Sequence, residues 1–364
     1  MENSSLESNN ENIDPIKPFE REDAWKAVEQ LTMEFGSYYS SLGYIEHQPV
    51  DISSGIDPSV RFIGSHISVL KPELIGGSIP APGEYIVQDC MRAKNLKELF
   101  NDASSPQWGS TFTSMGALVP YERLDELVSE TLIFFEKILN VKNEDIKISV
   151  SSQDQDLVSA IAKSLSSESL EVDMQPNSYY RHQIGVEGII GRNFNLAIRN
   201  KVGGDFSDVG NIIVLEDTEK KLGAELALGS SVMLKQMYGL EHVNDCYPLT
   251  GIDIENKTIK RKFEDCIIVS ISLFNEGLEP RAADNKGRIL RSYVRALSYF
   301  RSKENMSLES LAEIMARFES KRYPDKKDSI VPSIVEYLRS YEEMLLSEKI
   351  STAEDKIIAA VLKK

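Results

Sequence analysis

The sequence predicts an α+β fold: an antiparallel sheet flanked by helices, followed by an all-helical domain. Apolar residues after Asp23, and again after Tyr121, recur at the three- and four-residue spacing of amphipathic helices. Between and beyond these helices lie short apolar runs punctuated by Gly and Pro, some alternating with period two, which marks strands. Past Tyr247 the pattern reads as helices alone, so the boundary between a sheet-bearing core (19–246) and a helical domain (247–364) is placed there. A chain of 364 residues exceeds the size at which a single core usually stops growing, and two domains are expected on that ground as well.

Residues 1–18 are rich in Asn, Ser and Glu with almost no aromatic side chains; they cannot bury enough surface to offset chain entropy and are expected as a disordered tail. Trp25, Val28, Leu31, Phe35, Tyr38 and Leu42 then form one helical stripe, closed by Gly43 as a C-terminal cap. Tyr85-Ile-Val-Gln-Asp-Cys-Met91 reads as a buried strand, and Thr111-Phe-Thr-Ser-Met115 as its hairpin partner. A helix over 121–139 presents Leu124, Leu127, Val128, Phe135 and Ile138 on one face. Ile146–Val150 is a strand, and Asp154 starts a short helix through Leu157, Ile161 and Leu165. Phe194, Leu196 and Ile198 alternate, and Asn211–Leu215 is a continuous buried strand. Helices follow at about 286–301, 307–318, 332–347 and 353–363, the third with Pro332 in its first turn, where a missing N–H costs nothing.

Composition narrows the function. A formal charge of −16 argues against non-specific binding of DNA or RNA, which needs diffuse positive charge, so any RNA contact must be focal. No apolar run approaches the roughly 18 residues that cross a bilayer, and the acidic start lacks the order of a signal peptide; a cytoplasmic protein without membrane contact is expected. Cys90, Cys246 and Cys266 are too scattered for a disulfide framework, and with His47, His66, His182 and His242 equally dispersed no sequence-local metal cluster is expected. No Gly-x-Ser-x-Gly nucleophile elbow occurs.

Against this acidic background, the stretch after Pro280 concentrates Arg281, Lys286, Arg288, Arg291, Arg295, Arg301 and Lys303. Arg288, Arg291 and Arg295 stand three and four residues apart, on one face of a helix. Two readings are open. Guanidinium forks match phosphate oxygens bidentately, which makes a phosphate-binding stripe; alternatively Ile289, Leu290, Val294, Leu297 and Phe300 face a core and the arginines are the solvated side.

Read in order, segments from about Phe19 to Ile350 resemble the aminoacylation half of alanyl-tRNA synthetase, a class II synthetase. Asp57-Pro-Ser-Val-Arg-Phe62, with Lys71 and Gly76 after it, is similar to that family's Asp-Pro-Thr-x-x-Phe segment. Gln88-Asp-Cys-Met-Arg92-Ala resembles the run carrying the motif 2 arginine, and Thr111-Phe-Thr-Ser-Met115 its returning strand. Asp208-Val-Gly-Asn211-Ile-Ile resembles the segment whose asparagine lies in the amino-acid pocket. The arginine-rich helix, Tyr323-Pro324 and Glu342-Glu343 are similar to later segments in the same order.

The resemblance implies a class II synthetase-like antiparallel sheet that activates an amino acid with ATP and Mg2+ and transfers it to tRNA or another carrier. It implies Arg92 as the catalytic cation, Arg92 and Lys94 at ATP, and Met115, Tyr179, Asn211, Glu225 and Gly229 around the amino acid. Arg281, Lys286, Arg288, Arg291 and Arg295 would meet the tRNA acceptor stem. Attack of a carboxylate on the α-phosphate crowds negative charge, which a positioned arginine stabilises.

The departures fall in the chemistry. Motif 3 should end in Gly-Leu-Glu-Arg; here Glu225-Leu-Ala-Leu-Gly229-Ser-Ser-Val232 puts valine near the arginine's place, forfeiting about 0.5–2 kcal/mol of cation–π stacking on adenine. The family's Asp-Thr-Gly becomes Glu225-Leu-Ala227, one methylene longer, and its Gly-Pro-Cys-Gly-Pro-Cys-Ser-Glu loop becomes Gly185-Val-Glu-Gly-Ile-Ile-Gly-Arg192. The motif 2 loop is shortened to Arg92-Ala-Lys94-Asn95. The sequence given ends before the family's editing and C-terminal dimerisation domains, so neither is expected. Two functions follow: a divergent ligase for a specialised pathway, or a catalytically inactive paralogue that binds tRNA or aminoacyl-tRNA as regulator, partner or acyl-transfer scaffold.

Overall fold

The computed structural model describes residues 21–281 and 283–363; the tail expected over 1–18 lies outside them. Helix α1 (Arg21–Ser41) buries Trp25, Val28, Leu31, Phe35 and Tyr39, a stripe at helical spacing, while Leu42 is exposed and Gly43 turns the chain at φ +85°. Full burial of Phe35 contributes about 2 kcal/mol relative to exposure.

The centre is a nine-stranded sheet, with β1 Ile45–Glu46, β2 Glu84–Met91, β3 Thr111–Val119, β4 Ile146–Val150, β5 Leu170–Val172, β6 Arg181–Gln183, β7 Ile190–Arg199, β8 Phe206–Glu216 and β9 Lys221–Gly229. The spatial order is β1-β2-β3-β9-β8-β7-β4-β5, with β6 also on β7. Every pairing from β2 to β4 is antiparallel; only the edge pairs β1–β2 and β4–β5 are parallel. The antiparallel sheet flanked by helices is therefore present, and β2–β3 is the expected hairpin. Strand β9, which the sequence reading did not assign, lies between β3 and β8.

Strand alternation gives the sheet two unlike faces. Met115, Ala117, Val119, Phe194, Leu196, Ile212, Val214, Leu226 and Leu228 belong to the large core, with α1, α3 (Leu124–Ile133) and α5 (Ser230–Tyr238). Ile86, Cys90, Leu118, Ile213 and Leu215 point the other way, into a smaller cluster closed by α2 (Ile67–Gly76) and by the chain leading to it. Between β4 and β5, α4 (Gln155–Ala162) buries Leu157 and Ile161 as expected.

The C-terminal region is helical as expected, with α7 Asn285–Lys303, α8 Leu308–Arg322, α9 Val331–Leu346 and α10 Ala353–Leu362. A further helix, α6 (Lys257–Asn275), precedes them and was not read from the sequence. The large core runs without a break from α1 through the sheet into α6–α10, across the 246/247 position. No described helix is long and apolar enough to cross a membrane.

Candidate active site

Residues paired across neighbouring antiparallel strands share a face, so the registers assemble a polar patch on the α2 side of the sheet. Gln88 pairs with Ser114, Ser114 with Gly229, Gly116 with Ala227, Ala227 with Asn211, and Asn211 with Asn195. Glu225 pairs with Leu118 and Ile213 on the same face, and His182 of β6 pairs with Gly191 there. Gly116, Ala227 and Gly229 leave this floor nearly free of side chains, and the His66 ring packs into the room above Gly116.

Glu225 is 1% exposed, and neither carboxyl oxygen holds a hydrogen-bond partner. Such a group is expensive to leave unmade and is therefore a candidate for ligand contact. The fully buried His66 lies closest: its Nε2 is 3.1 Å from Glu225 Oε1, out of line for a hydrogen bond, and its Nδ1 is 2.9 Å from Ser114 Oγ. His66 fits because position 116 is glycine; a Cβ there would fall 2.0 Å from the ring nitrogen. Asn211 Nδ2 sits 3.4 Å from His182 Nε2. Burial lowers the His182 pKa; Glu225 pulls it up and Arg92 pushes it down, leaving the ring below its ordinary value.

Arg92 follows the last residue of β2. Its Nε donates to the Gly64 carbonyl at 2.7 Å and its guanidinium lies 5.1 Å over the Phe112 ring, so the side chain is held while both terminal nitrogens stay free of described partners. Its backbone N–H donates to the Ser110 carbonyl at 2.8 Å, and Ser110 is fixed by the buried Asp265 of α6, which accepts from Ser110 N at 2.7 Å and from Ser110 Oγ at 2.5 Å. Tyr293 of α7 closes the network at 2.8 Å from Ser110 Oγ. Burial pushes Asp265 up, against the hydrogen bonds of Ser110 and Asn95. The helical region thus sets the backbone that carries Arg92.

On β8, Gly210 pairs with Leu196 but Asp208 with Ala197, so Val209 is a bulge that returns Asp208 to the face of Asn211. Tyr179 donates its hydroxyl to Asp208 and stands edge-on to Tyr180 at 5.4 Å between ring centroids. Burial pushes both the Tyr179 hydroxyl and the Asp208 carboxyl up. Nearby, buried Lys71 donates to Asp57 at 2.5 Å and to Ser59 at 3.0 Å. Burial would raise Asp57, but bonds from Lys71, Ser59 and Ser68 hold it below the usual carboxylate range.

Arg92, Glu225, Asn211, Gly229 and Tyr179 therefore line one side of the sheet, but Met115 does not. It is fully buried in the large core on the opposite face, because odd-numbered β3 residues point away from Ser114 and Gly116. Lys94 lines a separate cavity of about 180 Å³ with Asn95, Trp108, Lys262 and Asp265. Val232 occupies the first turn of α5, where it packs against the large core. Sequence reasoning passed over His66, His182, Ser114 and Gly116; scattered histidines carry no local signal, and only the fold brings them to Glu225, His182 by strand register and His66 by the packing of α2 on the sheet.

The arginine stripe is divided. Arg295 is not available to a ligand: it pairs with the buried Asp355 at 3.0 Å, donates to Tyr337 at 3.1 Å and lies 4.3 Å over Tyr341. Arg301 is paired with Glu342, Lys303 with Asp102, and Lys286 donates to the Ser53 carbonyl at 2.6 Å. For Arg295 and Arg301 the reason is that α9 and α10 pack against α7. Arg281 pairs with Glu279 at the surface, at 2.7 Å. Arg288 is exposed and bonded to Asn285, and the half-buried Arg291 has no ion pair among the described residues.

No family model matches the chain, and no curated protein sequence matches it. Among solved structures it is similar to a protein described as a threonyl-tRNA synthetase from Aeropyrum pernix, at 12% identity over 70% of each chain with a TM-score of 0.41. It is also similar to the RNA binding domain of threonyl-tRNA synthetase from Cryptosporidium parvum, at 13% identity over 75% of this chain and 80% of that one, TM-score 0.41. The asparaginyl-tRNA synthetase of Entamoeba histolytica is a third, at 10% identity over 63% of this chain and 66% of that one, TM-score 0.37. These are distant likenesses that assign no residue's role here, and the alanyl-specific part of the resemblance is not carried by them.

Proposed function

We propose that the α2-side face of the sheet is the active site of a divergent, alanyl-tRNA synthetase-like ligase, which activates an amino acid with ATP. The observation that carries this reading is the buried, unpartnered Glu225 on the same face as Asn211, His182 and the half-free Arg92. A substrate ammonium supplies the donors that Glu225 lacks, and Asn211 and His182 add polar contacts beside it. The substrate carboxylate then attacks the ATP α-phosphorus, the bond from that phosphorus to the bridging oxygen breaks and pyrophosphate leaves, with Arg92 stabilising the charge that accumulates. A pre-positioned arginine costs little reorganisation, which is what the Gly64 and Phe112 contacts provide.

The donor set fits ATP in part. Arg92 suits a phosphate, whereas Val232 offers no charge or hydrogen bond to the rest of the nucleotide. The group of three metal-ligating side chains among the described residues, His47, Glu73 and Glu84, stands at the far end of β2 from Arg92, and none gathers beside Arg92 itself. Val232 favours a second reading, a catalytically inactive paralogue that binds tRNA through Arg288 and Arg291. Amino-acid-dependent ATP–pyrophosphate exchange across a panel of amino acids separates the two. The ligase reading expects exchange with at least one amino acid, reduced about 100-fold or more in Arg92→Ala; no exchange with any amino acid leaves the binding reading.

A further inference from the structure

We propose that His47, Glu73 and Glu84 form a binding site for one divalent transition-metal ion of the zinc class. The residues come from three segments: His47 follows β1, Glu73 lies on α2 and Glu84 opens β2. Glu84 stands opposite Leu118 and Leu118 opposite Glu225, so the three residues lie at the β1–β2 edge of the same face, about 10 Å of backbone spacing from Glu225 and roughly 25 Å, the length of β2, from Arg92.

One ligand atom from each side chain falls within 4.8 Å of the others, and His47 Nε2 is 3.7 Å from Glu73 Oε1. Around zinc, ligand atoms about 2.0–2.1 Å from the metal stand about 3.4 Å apart, so modest side-chain movement closes the site. The tautomer of His47 is right for coordination. Its Nδ1 lies 3.2 Å from the Gln48 carbonyl, which can only accept, so Nδ1 carries a proton and Nε2 is the nitrogen that faces the carboxylates and would bind a metal. A histidine that donates its second nitrogen to a backbone carbonyl is the usual outer support of a metal ligand.

The second observation is the state of the carboxylates. Glu84 is 4% exposed and its Oε1 is buried without a hydrogen-bond partner, as is Glu73 Oε2. A cation between the carboxylates offers the buried Glu84 Oε1 the partner it lacks and offsets their like charge. One imidazole and two carboxylates leave a fourth tetrahedral position for water. Bound there, the ion staples α2 to the β1–β2 edge, where the His47 N–H already donates to the Tyr85 carbonyl at 2.8 Å. Sequence spacing gave no hint of the site because the three residues meet only in the fold.

The test is calorimetric titration of the chelator-treated full chain with Zn2+, with thermal melts in parallel. One saturable zinc equivalent per chain is expected, with a raised melting temperature. His47→Ala and Glu84→Gln should each weaken binding at least tenfold and abolish the thermal shift. If Glu84→Gln fails to fold, His47→Ala still decides, since that side chain is partly exposed and leaves the core intact. Absence of saturable uptake overturns the proposal, and so does uptake of equal affinity in wild type and His47→Ala, which would place zinc on other ligands.

Discussion

At the residue scale, the site depends on a side chain that is missing. Gly116 makes room for His66, and His66 fills the space beside Glu225. Gly116→Ala places a methyl group against a fully buried ring that cannot swing into solvent, so destabilisation of about 1–3 kcal/mol is expected from urea unfolding. Adding His66→Ala should recover part of the loss, a non-additivity that marks direct contact. An unchanged midpoint in Gly116→Ala would show that the ring is not held there. His242 gives a second residue-level expectation. Its Nδ1 accepts from Asn244 N at 3.1 Å and its Nε2 faces the Pro106 carbonyl at 3.1 Å, so the neutral ring is fully satisfied. Burial, reinforced by Arg261, lowers it to about 4. The unfolded chain takes up this proton near pH 6.5 and the native chain only near 4, so stability falls as pH drops across that window, by about 3 kcal/mol in all. His242→Gln should remove that part of the pH dependence; a wild-type curve flat between pH 6.5 and 4 would refute the assignment.

At the element scale, α7 divides its arginines between two uses. Arg295→Ala removes the cation beside buried Asp355, which keeps its bonds from Tyr341, Ser351 and Thr352, and a loss of about 1–2 kcal/mol is expected in equilibrium unfolding. Arg288→Ala with Arg291→Ala should leave stability nearly unchanged, weaken tRNA binding and flatten its salt dependence by about two in log–log slope. A salt slope identical to wild type would make both arginines a solvated helix face. How far these elements could be read follows from their composition. The β2–β3 hairpin and α7–α10 announce themselves by clean period-two or helical patterning. Strand β9 does not, because Ala224-Glu-Leu-Ala-Leu228 is built of good helix formers that the sheet overrides through β3 and β8. Helix α6 hides for the opposite reason: Ile267-Ile-Val-Ser-Ile271 is a β-branched run with strand propensity, which the buried helix overrides. Even within a correct strand, Met115 was set on the wrong face, since a one-residue difference in alternation reverses which side of the sheet a side chain serves.

At the scale of the whole molecule, the sheet and the helical region act as one body around Arg92. The large core is continuous from α1 to α10, and Asp265 of α6 and Tyr293 of α7 hold Ser110, which in turn holds the Arg92 backbone. Glu276, whose pKa is raised chiefly by burial, accepts from Ile52 N at 2.7 Å and Ser53 N at 2.8 Å, tying the segment before Asp57 to the same helices. Glu225, Asn211 and Arg92 could be picked from the sequence only through resemblance to a family, whereas the histidines around them required the three-dimensional register. The measurement that tests the central claim most directly is equilibrium binding of non-hydrolysable aminoacyl-sulfamoyl adenosines, one per amino acid, to the wild-type chain and to Glu225→Ala and Arg92→Ala. Saturable binding of at least one analogue, weakened tenfold or more by each substitution, is the predicted result. Binding of none, or binding indifferent to both substitutions, would contradict the assignment of this face as the site of amino-acid activation.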